Sequence, residues 1–439
     1  MAKEPCTPGP QESRLAAYLN GLAEAAGHAD RVEPVKSYCR GLLLPGERKS
    51  VEPMAARLAP GNVRRMHQSL HHVVADAPWS DEELLARVRG SVLPVMESQG
   101  PVCAWIVDDT GFVKKGKHSV GVTRQYCGQV GKQENCRVAV SLSIATEAAS
   151  LPIAWRLYLP EEWAKDGERR KQAGVPEGIG FQTKPSIALD QIRSALVVGV
   201  RKAPVLADAA YGNDSKFREG ITQAGLRYIV GIQGTTTVWP PGKQPLSKKK
   251  WLGKGRPPTL LRRRKNHSAV AVKQLACSLP SCDWKTVAWR EGTKQKLQSR
   301  FASVRVRPAH RDYWQSKPHP EEWLLIEWPA GEPEPTKYWL STLPADVRLT
   351  HLVKRAKHRW IIERDYEELK QELGLGHFEG RGWRGFHHHG TLCIAAYGFL
   401  VAERSRFSPS ARVGQLHLSI PRIPAHFEPR GAPDKSRTA

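Results

Sequence analysis

Val102-Cys-Ala-Trp-Ile-Val-Asp-Asp109 is a short apolar run that stops on two adjacent carboxylates. It reads as a strand delivering acid to the end of a sheet. Downstream, Val138–Ala145 alternates like a second strand, and Pro152–Leu159 is placed to pair with it. Ile187–Val200 has helical texture, and Val205-Leu-Ala207 is a strand followed at once by Asp208. Ser215–Ala224 reads as a helix and Tyr228–Ile232 as a strand. Strands come first as a meander and then alternate with helices, which predicts an α/β fold with a mixed sheet.

Residues 12–100 lack strand alternation. Glu12–Ala26, Val35–Leu44 and Gly61–Val73 are expected helices, and Ser80-Asp-Glu-Glu is an N-terminal cap for a fourth. The Arg and His residues of Val63-Arg-Arg-Met-His-Gln-Ser-Leu-His-His suit either a DNA-facing helix or a solvated surface. Residues 234–345 break the alternating pattern. They are rich in Pro, Lys and Trp, with short β-like pieces at Ser268–Val272, Ala302–Val306 and Trp323–Trp328. Tyr338–Leu343 looks like a return to the main sheet, and 350–373 like one long helix stopped by Gly374 and Gly376. The expected division is a helical DNA-binding domain at 1–100, a first core part at 101–233, a β-rich basic insertion at 234–335, a second core part at 336–405, and a basic, loosely ordered tail at 406–439.

The composition agrees with a folded chain that meets a polyanion. Lys and Arg number 67 against 43 acids, a formal net charge of +24 on 439 residues, while hydrophobic residues make up 40%. That share builds a core and excludes a disordered chain. The charge points to phosphate neutralisation on nucleic acid. A membrane surface is the alternative, but no amphipathic basic helix stands out. Leu392–Ala402 is too short to span a bilayer and reads as a buried helix. Residues 1–10 are charged and Pro-rich, unlike a signal peptide, so the expected location is the cytoplasm, at the nucleoid. The eight Cys include no Cys-x-x-Cys pair, and Cys277 and Cys282 form a lone close pair. Reduced thiols without structural zinc are expected.

Chemistry enters through the acids. Asp109 and Asp208 each end a hydrophobic strand, where a carboxylate projects from a rigid scaffold, and two such acids can bridge hard cations such as Mg²⁺. In Lys357-His-Arg-Trp-Ile-Ile-Glu-Arg-Asp-Tyr-Glu-Glu-Leu-Lys370, Glu363 and Lys370 fall at roughly 40° and 20° from Arg359 around a helix, so the three share one stripe. A solvated face with i,i+4 ion pairs gives the same spacing. Ile361 and Ile362 beside Glu363 indicate that part of the region is packed.

Arg-x3-Glu-x6-Lys resembles the core of the Tyr-x2-Arg-x3-Glu-x6-Lys signature of bacterial insertion-sequence transposases with an RNase H-like DDE core. Val107-Asp-Asp-Thr-Gly-Phe-Val-Lys-Lys-Gly-Lys-His-Ser-Val-Gly-Val-Thr-Arg-Gln-Tyr126 is similar to the first-aspartate block of the insertion-sequence-701 family. Leu206-Ala-Asp-Ala-Ala-Tyr-Gly212 resembles its second block, Leu373-Gly-Leu-Gly-His-Phe-Glu-Gly-Arg-Gly-Trp383 the segment after the glutamate, and Gly41-Leu-Leu-Leu-Pro-Gly-Glu-Arg-Lys49 its N-terminal region. The likeness runs over roughly residues 12–405. The signature's Tyr falls on Ala356, so the contact made by that phenol is missing or supplied elsewhere.

The resemblance implies an RNase H-like mixed-sheet core and a cut-and-paste transposase. Its substrates would be double-stranded transposon ends and target DNA, its cofactors two Mg²⁺ or Mn²⁺ ions, and its synaptic form a homodimer. Carried over, Asp109, Asp208 and Glu363 become the metal-binding acids, with Asp108 the rival for the first place. Asp109 is preferred there because Thr110 follows it. Arg359 and Lys370 become phosphate or DNA-end contacts. An RNase H-like nuclease without strand transfer and an inactive DNA-binding relative are the competing readings.

Between Pro240 and Arg300 stand 16 Lys/Arg against two acids, +14 of the total +24. Lys248, Lys249, Lys250, Arg262, Arg263, Arg264 and Lys265 are the expected DNA contacts. Trp239, Trp251, Trp284 and Trp289 are interleaved with them, either to stack an unpaired base or to form the insertion's own core. In the resembling transposases this insertion helps hold a flipped base during hairpin formation. His387-His-His389, beside Trp383 and Phe386, is expected to pack near DNA rather than bind metal.

Overall fold

The computed structural model describes residues 9–291 and 296–407, so the expected tail lies outside the described residues from 408 onward. Five helices open the chain: α1 (Pro10–Glu24), α2 (Ala29–Leu43), α3 (Val51–Leu58), α4 (Val63–His71, continued by a π turn to Asp76) and α5 (Asp81–Ser98). The cap at Ser80 forms as the sequence predicts: its side chain accepts the N–H of Glu83, and Asp81, Glu82 and Glu83 sit in the positive first turn of α5. The sequence pattern does not announce α3, because Val51-Glu-Pro looks like a break. Pro53 falls in the first turn, where its missing N–H has no intrahelical partner to lose.

The core follows as β1 (Ala104–Val113), β2 (Thr123–Cys127), β3 (Lys132–Ala145), β4 (Ser150–Leu157), the short α6 (Glu161–Lys165) and α7 (Gly167–Gln172), α8 (Lys184–Val197), β5 (Val205–Ala207), α9 (Ala209–Gly212), α10 (Ser215–Gln223) and β6 (Tyr228–Ile232). β1 runs antiparallel to β3, which pairs with β4, and parallel to β5, which is parallel to β6. This antiparallel meander with two parallel strands added across helical connections is the mixed α/β core expected for an RNase H-like fold.

Then come β7 (Thr237–Trp239), β8 (Val270–Ala271), α11 (Val272–Cys277), β9 (Lys285–Glu291), β10 (Lys296–Pro308), β11 (Glu322–Trp328) and β12 (Lys337–Ser341). β12 pairs antiparallel with β6, β11 with β12, and β10 with β11. The strands of the basic stretch therefore prolong the core sheet. They also hold the helix that carries Glu363: Lys357 donates to the buried Glu327 of β11 at 2.5 Å, and the Arg290 guanidinium lies 3.8 Å from the centre of the Trp360 ring.

The long helix expected over 350–373 is interrupted. α12 (Leu349–Lys357) and α13 (Ile361–Gln371) are joined by a tight 3-10 turn, His358–Trp360. His358 is anchored there through Nε2 to the Thr146 carbonyl at 2.8 Å. α14 (Trp383–Phe407) is buried along almost its whole length and packs against α5, α2 and β4. Among the described residues no helix is long and apolar enough to cross a membrane.

The His387–His389 run packs inside the protein. All three rings are buried in α14. His388 stacks on Trp79 at 3.6 Å between centroids and bonds the Trp79 carbonyl. His389 bonds the Gly374 carbonyl through Nε2, leaving Nδ1 to accept the Tyr38 hydroxyl at 2.9 Å. Burial lowers the pKa of His388 and His389 to about 4. The unfolded chain then binds more protons than the native one between the ordinary His value and 4. Stability is expected to be complete above about pH 6.5 and to fall as pH drops through that window. Thermal unfolding at pH 7 and pH 5 checks this, since His389→Gln should reduce the acid-induced drop in Tm relative to wild type.

Candidate active site

Successive side chains of a strand point to opposite faces, so Asp108 and Asp109 cannot look the same way. Ser141 is the β3 residue opposite Asp108, and its hydroxyl bonds that of Tyr366 on α13 at 2.6 Å. The face of Asp108 is therefore the face covered by α13. The Asp108 carboxylate accepts Arg359 Nη1 at 2.6 Å, and the same guanidinium reaches Glu363 through Nη2 at 3.3 Å. The predicted stripe survives the broken helix, because the 3-10 turn still swings Arg359 over Glu363.

Asp109 is directed to the other side. Its Oδ2 accepts Lys184 Nζ at 3.1 Å and the Tyr211 hydroxyl at 3.2 Å. The structure thus brings Asp108, rather than the preferred Asp109, to Arg359 and Glu363. The Thr that follows Asp109 carries no information about which face a side chain takes; strand alternation does.

Asp208 leaves β5 in an extended conformation and caps α9, its Oδ1 accepting Ala210 N at 2.9 Å and Tyr211 N at 3.4 Å. Ile106 of β1 is paired with Leu206 of β5, so Asp108 and Asp208 stand at the same level two residues further along parallel neighbours. Burial pushes the Asp108 carboxyl up to about 7; Arg359 opposes this, and the charges of Asp208 and Asp109 add to it. Burial works to lower the Arg359 pKa, but Asp108, Asp208 and Glu363 outweigh it and the net shift is upward. Four charged groups thus act on one another where β1, the end of β5 and the start of α13 meet. Glu363 is the most open of the acids, 68% exposed against 15% for Asp108.

The donor set suits a hard divalent cation. It offers carboxylate oxygens only, one from the middle of β1, which runs on to Val113 instead of stopping at the acids, one from the end of β5 and one from a helix, and their mutual repulsion is what a cation relieves. In the arrangement shown, the Arg359 guanidinium joins Asp108 to Glu363, and among the described residues no three His, Cys, Asp or Glu side chains stand close enough to share one ion.

The remaining expected contacts divide. Lys370 packs on the end of β1, donating to the Gly111 carbonyl at 3.0 Å and to Gln129 Oε1 at 3.3 Å, and burial lowers its pKa. Lys248, Lys249, Lys250, Arg264 and Lys265 are exposed. Arg262 is half-buried and bonds the Ser247 carbonyl at 2.9 Å. Arg263, exposed as a residue, also donates through Nε to the buried Asp312 at 2.9 Å, which accepts Trp239 Nε1 at 2.6 Å. Of the four Trp, Trp239 is buried, Trp284 packs edge-on against Trp328, Trp289 packs against Phe301, and Trp251 is 50% exposed. Sequence reasoning missed Lys184 and Tyr211. Tyr211 stands in the quoted second-aspartate block; Lys184, at the start of α8, gave no signal.

Replacing Lys248, Lys249, Lys250, Arg264 and Lys265 with Gln, leaving Arg263 in place, is expected to lower the slope of log affinity against log salt by about 0.9 for each phosphate no longer neutralised. An unchanged slope in a binding titration would put this run away from DNA.

Among known proteins, the chain matches the DDE superfamily endonuclease family over residues 18–296, a span containing Asp108, Asp109 and Asp208 but not Glu363. It is 31% identical over 185 residues to a probable transposase for insertion sequence element IS701 of Microchaete diplosiphon. That alignment covers 42% of this chain and 45% of the relative, so it spans less than half the relative's own length.

Proposed function

The chain belongs to the DDE superfamily endonucleases, and from that premise we propose that it is a cut-and-paste DNA transposase. It would bind the inverted-repeat ends of its element as a homodimer, cleave them and join the 3′ ends to target DNA, acting at the nucleoid in the cytoplasm. The observation that carries this reading is the Arg359 guanidinium joined to both Asp108 and Glu363, with Asp208 level with Asp108 on the neighbouring strand.

In this proposal Asp108, Asp208 and Glu363 hold two Mg²⁺ or Mn²⁺ ions; Asp109 is not among the ligands. Bound there, the cations supply Lewis-acid activation of an attacking oxygen and stabilisation of a leaving one in an in-line displacement. The chain's own groups do the rest. Asp208 fixes one oxygen on its own helical turn and keeps the other for a cation. Arg359 balances the acids, and its planar fork can grip a phosphate beside them. Lys370 holds the β1 end at Gly111 and contributes positive charge toward DNA. The exposed Lys248–Lys250 run with Trp251 contacts the DNA backbone and offers an aromatic face to an unpaired base.

The test is incubation with a labelled duplex carrying the element's own ends, plus target DNA and Mg²⁺ or Mn²⁺. A cut at the element boundary followed by joining supports the proposal. Cutting without joining favours the nuclease reading, and end binding without cutting an inactive relative.

A further inference from the structure

Asp109 sits next to a proposed ligand yet turns away from it, into a contact that has its own chemistry. Its Oδ2 receives two donors, Lys184 Nζ at 3.1 Å and the Tyr211 hydroxyl at 3.2 Å. Tyr211 is 1% exposed and belongs to α9, the single turn that Asp208 caps. Tyr211 is thus tied twice: its backbone N–H to Asp208 Oδ1 at 3.4 Å, and its side chain to Asp109. Lys184 enters from the first turn of α8 and brings a third element to the same oxygen.

Two further contacts close the turn from behind. Gly212 packs so tightly on β6 that a Cβ there would lie 1.9 Å from the Gly231 carbonyl oxygen. The buried Arg218 guanidinium bonds the Gly212 carbonyl and, at 3.1 Å, His310 Nδ1.

We propose that Asp109 is a positioning residue: through the Tyr211 hydroxyl, backed by Lys184, it locks the turn carrying Asp208 against the strand carrying Asp108, fixing the distance between those two acids. This rests on the reading of Asp108 and Asp208 as cation ligands. Both donors hold Asp109 on the side of the strand away from Arg359 and Glu363, and drawing its carboxylate across to them would take the buried Tyr211 hydroxyl from its partner. As a strut it leaves neither. Residues that orient ligands in this way carry a tenfold to hundredfold share of metal affinity.

The experiment measures Mn²⁺ affinity of the full chain without DNA, by electron paramagnetic resonance of the free ion, alongside Tm and Mg²⁺-dependent cleavage. Asp208→Asn reports the ligand. Tyr211→Phe is isosteric and removes only the hydroxyl tie. It is expected to weaken Mn²⁺ binding about tenfold or more and to raise the Mg²⁺ needed for half-maximal cleavage in parallel. Asp109→Ala should do the same, the double variant should be no worse than either single one, and Asp109→Asn, which keeps an oxygen acceptor, should recover most of the loss. The proposal is overturned if Tyr211→Phe lowers Tm but leaves Mn²⁺ affinity at wild type while Asp208→Asn abolishes it. It is equally overturned if Asp109→Asn loses as much affinity as Asp208→Asn, which would make Asp109 a ligand. Wild-type affinity in Asp208→Asn would overturn the ligand reading and the strut with it.

Discussion

Asp108→Asn and Glu363→Gln are each expected to slow Mg²⁺-dependent cleavage of an element end by at least 10²–10³-fold, on the order of the loss seen when a group that stabilises developing charge is removed. End binding at matched salt should stay within about threefold, because neither acid contacts a phosphate and lost negative charge does not weaken a basic protein's hold on DNA. The two variants should resemble each other although their surroundings differ: Asp108 is nearly buried and Glu363 largely open. What they share is the Arg359 guanidinium between them. Single-turnover cleavage beside a binding titration reads both quantities. Near-wild-type cleavage by Glu363→Gln would remove α13 from the site.

Gly212→Ala is expected to have the largest effect on the fold itself. A Cβ there would meet the Gly231 carbonyl oxygen at 1.9 Å and Val230 Cβ at 2.9 Å. The carbonyl is β6 backbone and Val230 Cβ is bonded directly to that backbone, so neither neighbour can swing aside, and overpacking of this kind costs about 3 kcal/mol or more. Asp208 would move with the turn, so any soluble protein should also cleave poorly. Gly178→Ala, where a Cβ meets nothing within 4 Å, is the control and should unfold like wild type. A native Tm for Gly212→Ala would mean that α9 is not held against β6 as described.

The meander β1–β3–β4 and the parallel β5 and β6 were legible as apolar or alternating runs, although β1 continues through Asp108 and Asp109 to Val113 where its apolar pattern had suggested an end. The interrupted Glu363 helix was not. His358, Arg359 and Trp360 are all acceptable in a helix, and the tight turn is fixed by a tertiary bond from His358 to Thr146. The site was half legible. Residue types and spacing indicated two strand-end acids and a helical Arg–Glu pair, but the choice between Asp108 and Asp109 depends on which face α13 covers. Packing decides that face, through Ser141 and Tyr366, and it is not visible in the sequence. The partner of Arg263 was not legible either: in a run of four basic residues nothing local marks the one that pairs with a buried carboxylate 49 positions away. The His run was read as packed, but its partners, Trp79, Tyr38 and the Gly374 carbonyl, come from distant parts of the chain that the sequence does not bring together.

The most direct test of ligation at Asp108 is a change of metal preference. Asp108→Cys places a soft thiolate where a hard carboxylate stood, a poor donor for Mg²⁺ and a better one for softer ions. Single-turnover cleavage of a labelled element end should be lost in Mg²⁺ for this variant and partly regained when Mn²⁺ or Cd²⁺ replaces it, while Asp109→Cys shows no such dependence on the metal. Full activity of Asp108→Cys in Mg²⁺, with metal-dependent recovery appearing at Asp109→Cys instead, would contradict the assignment of Asp108, Asp208 and Glu363 as the acids that hold the cations.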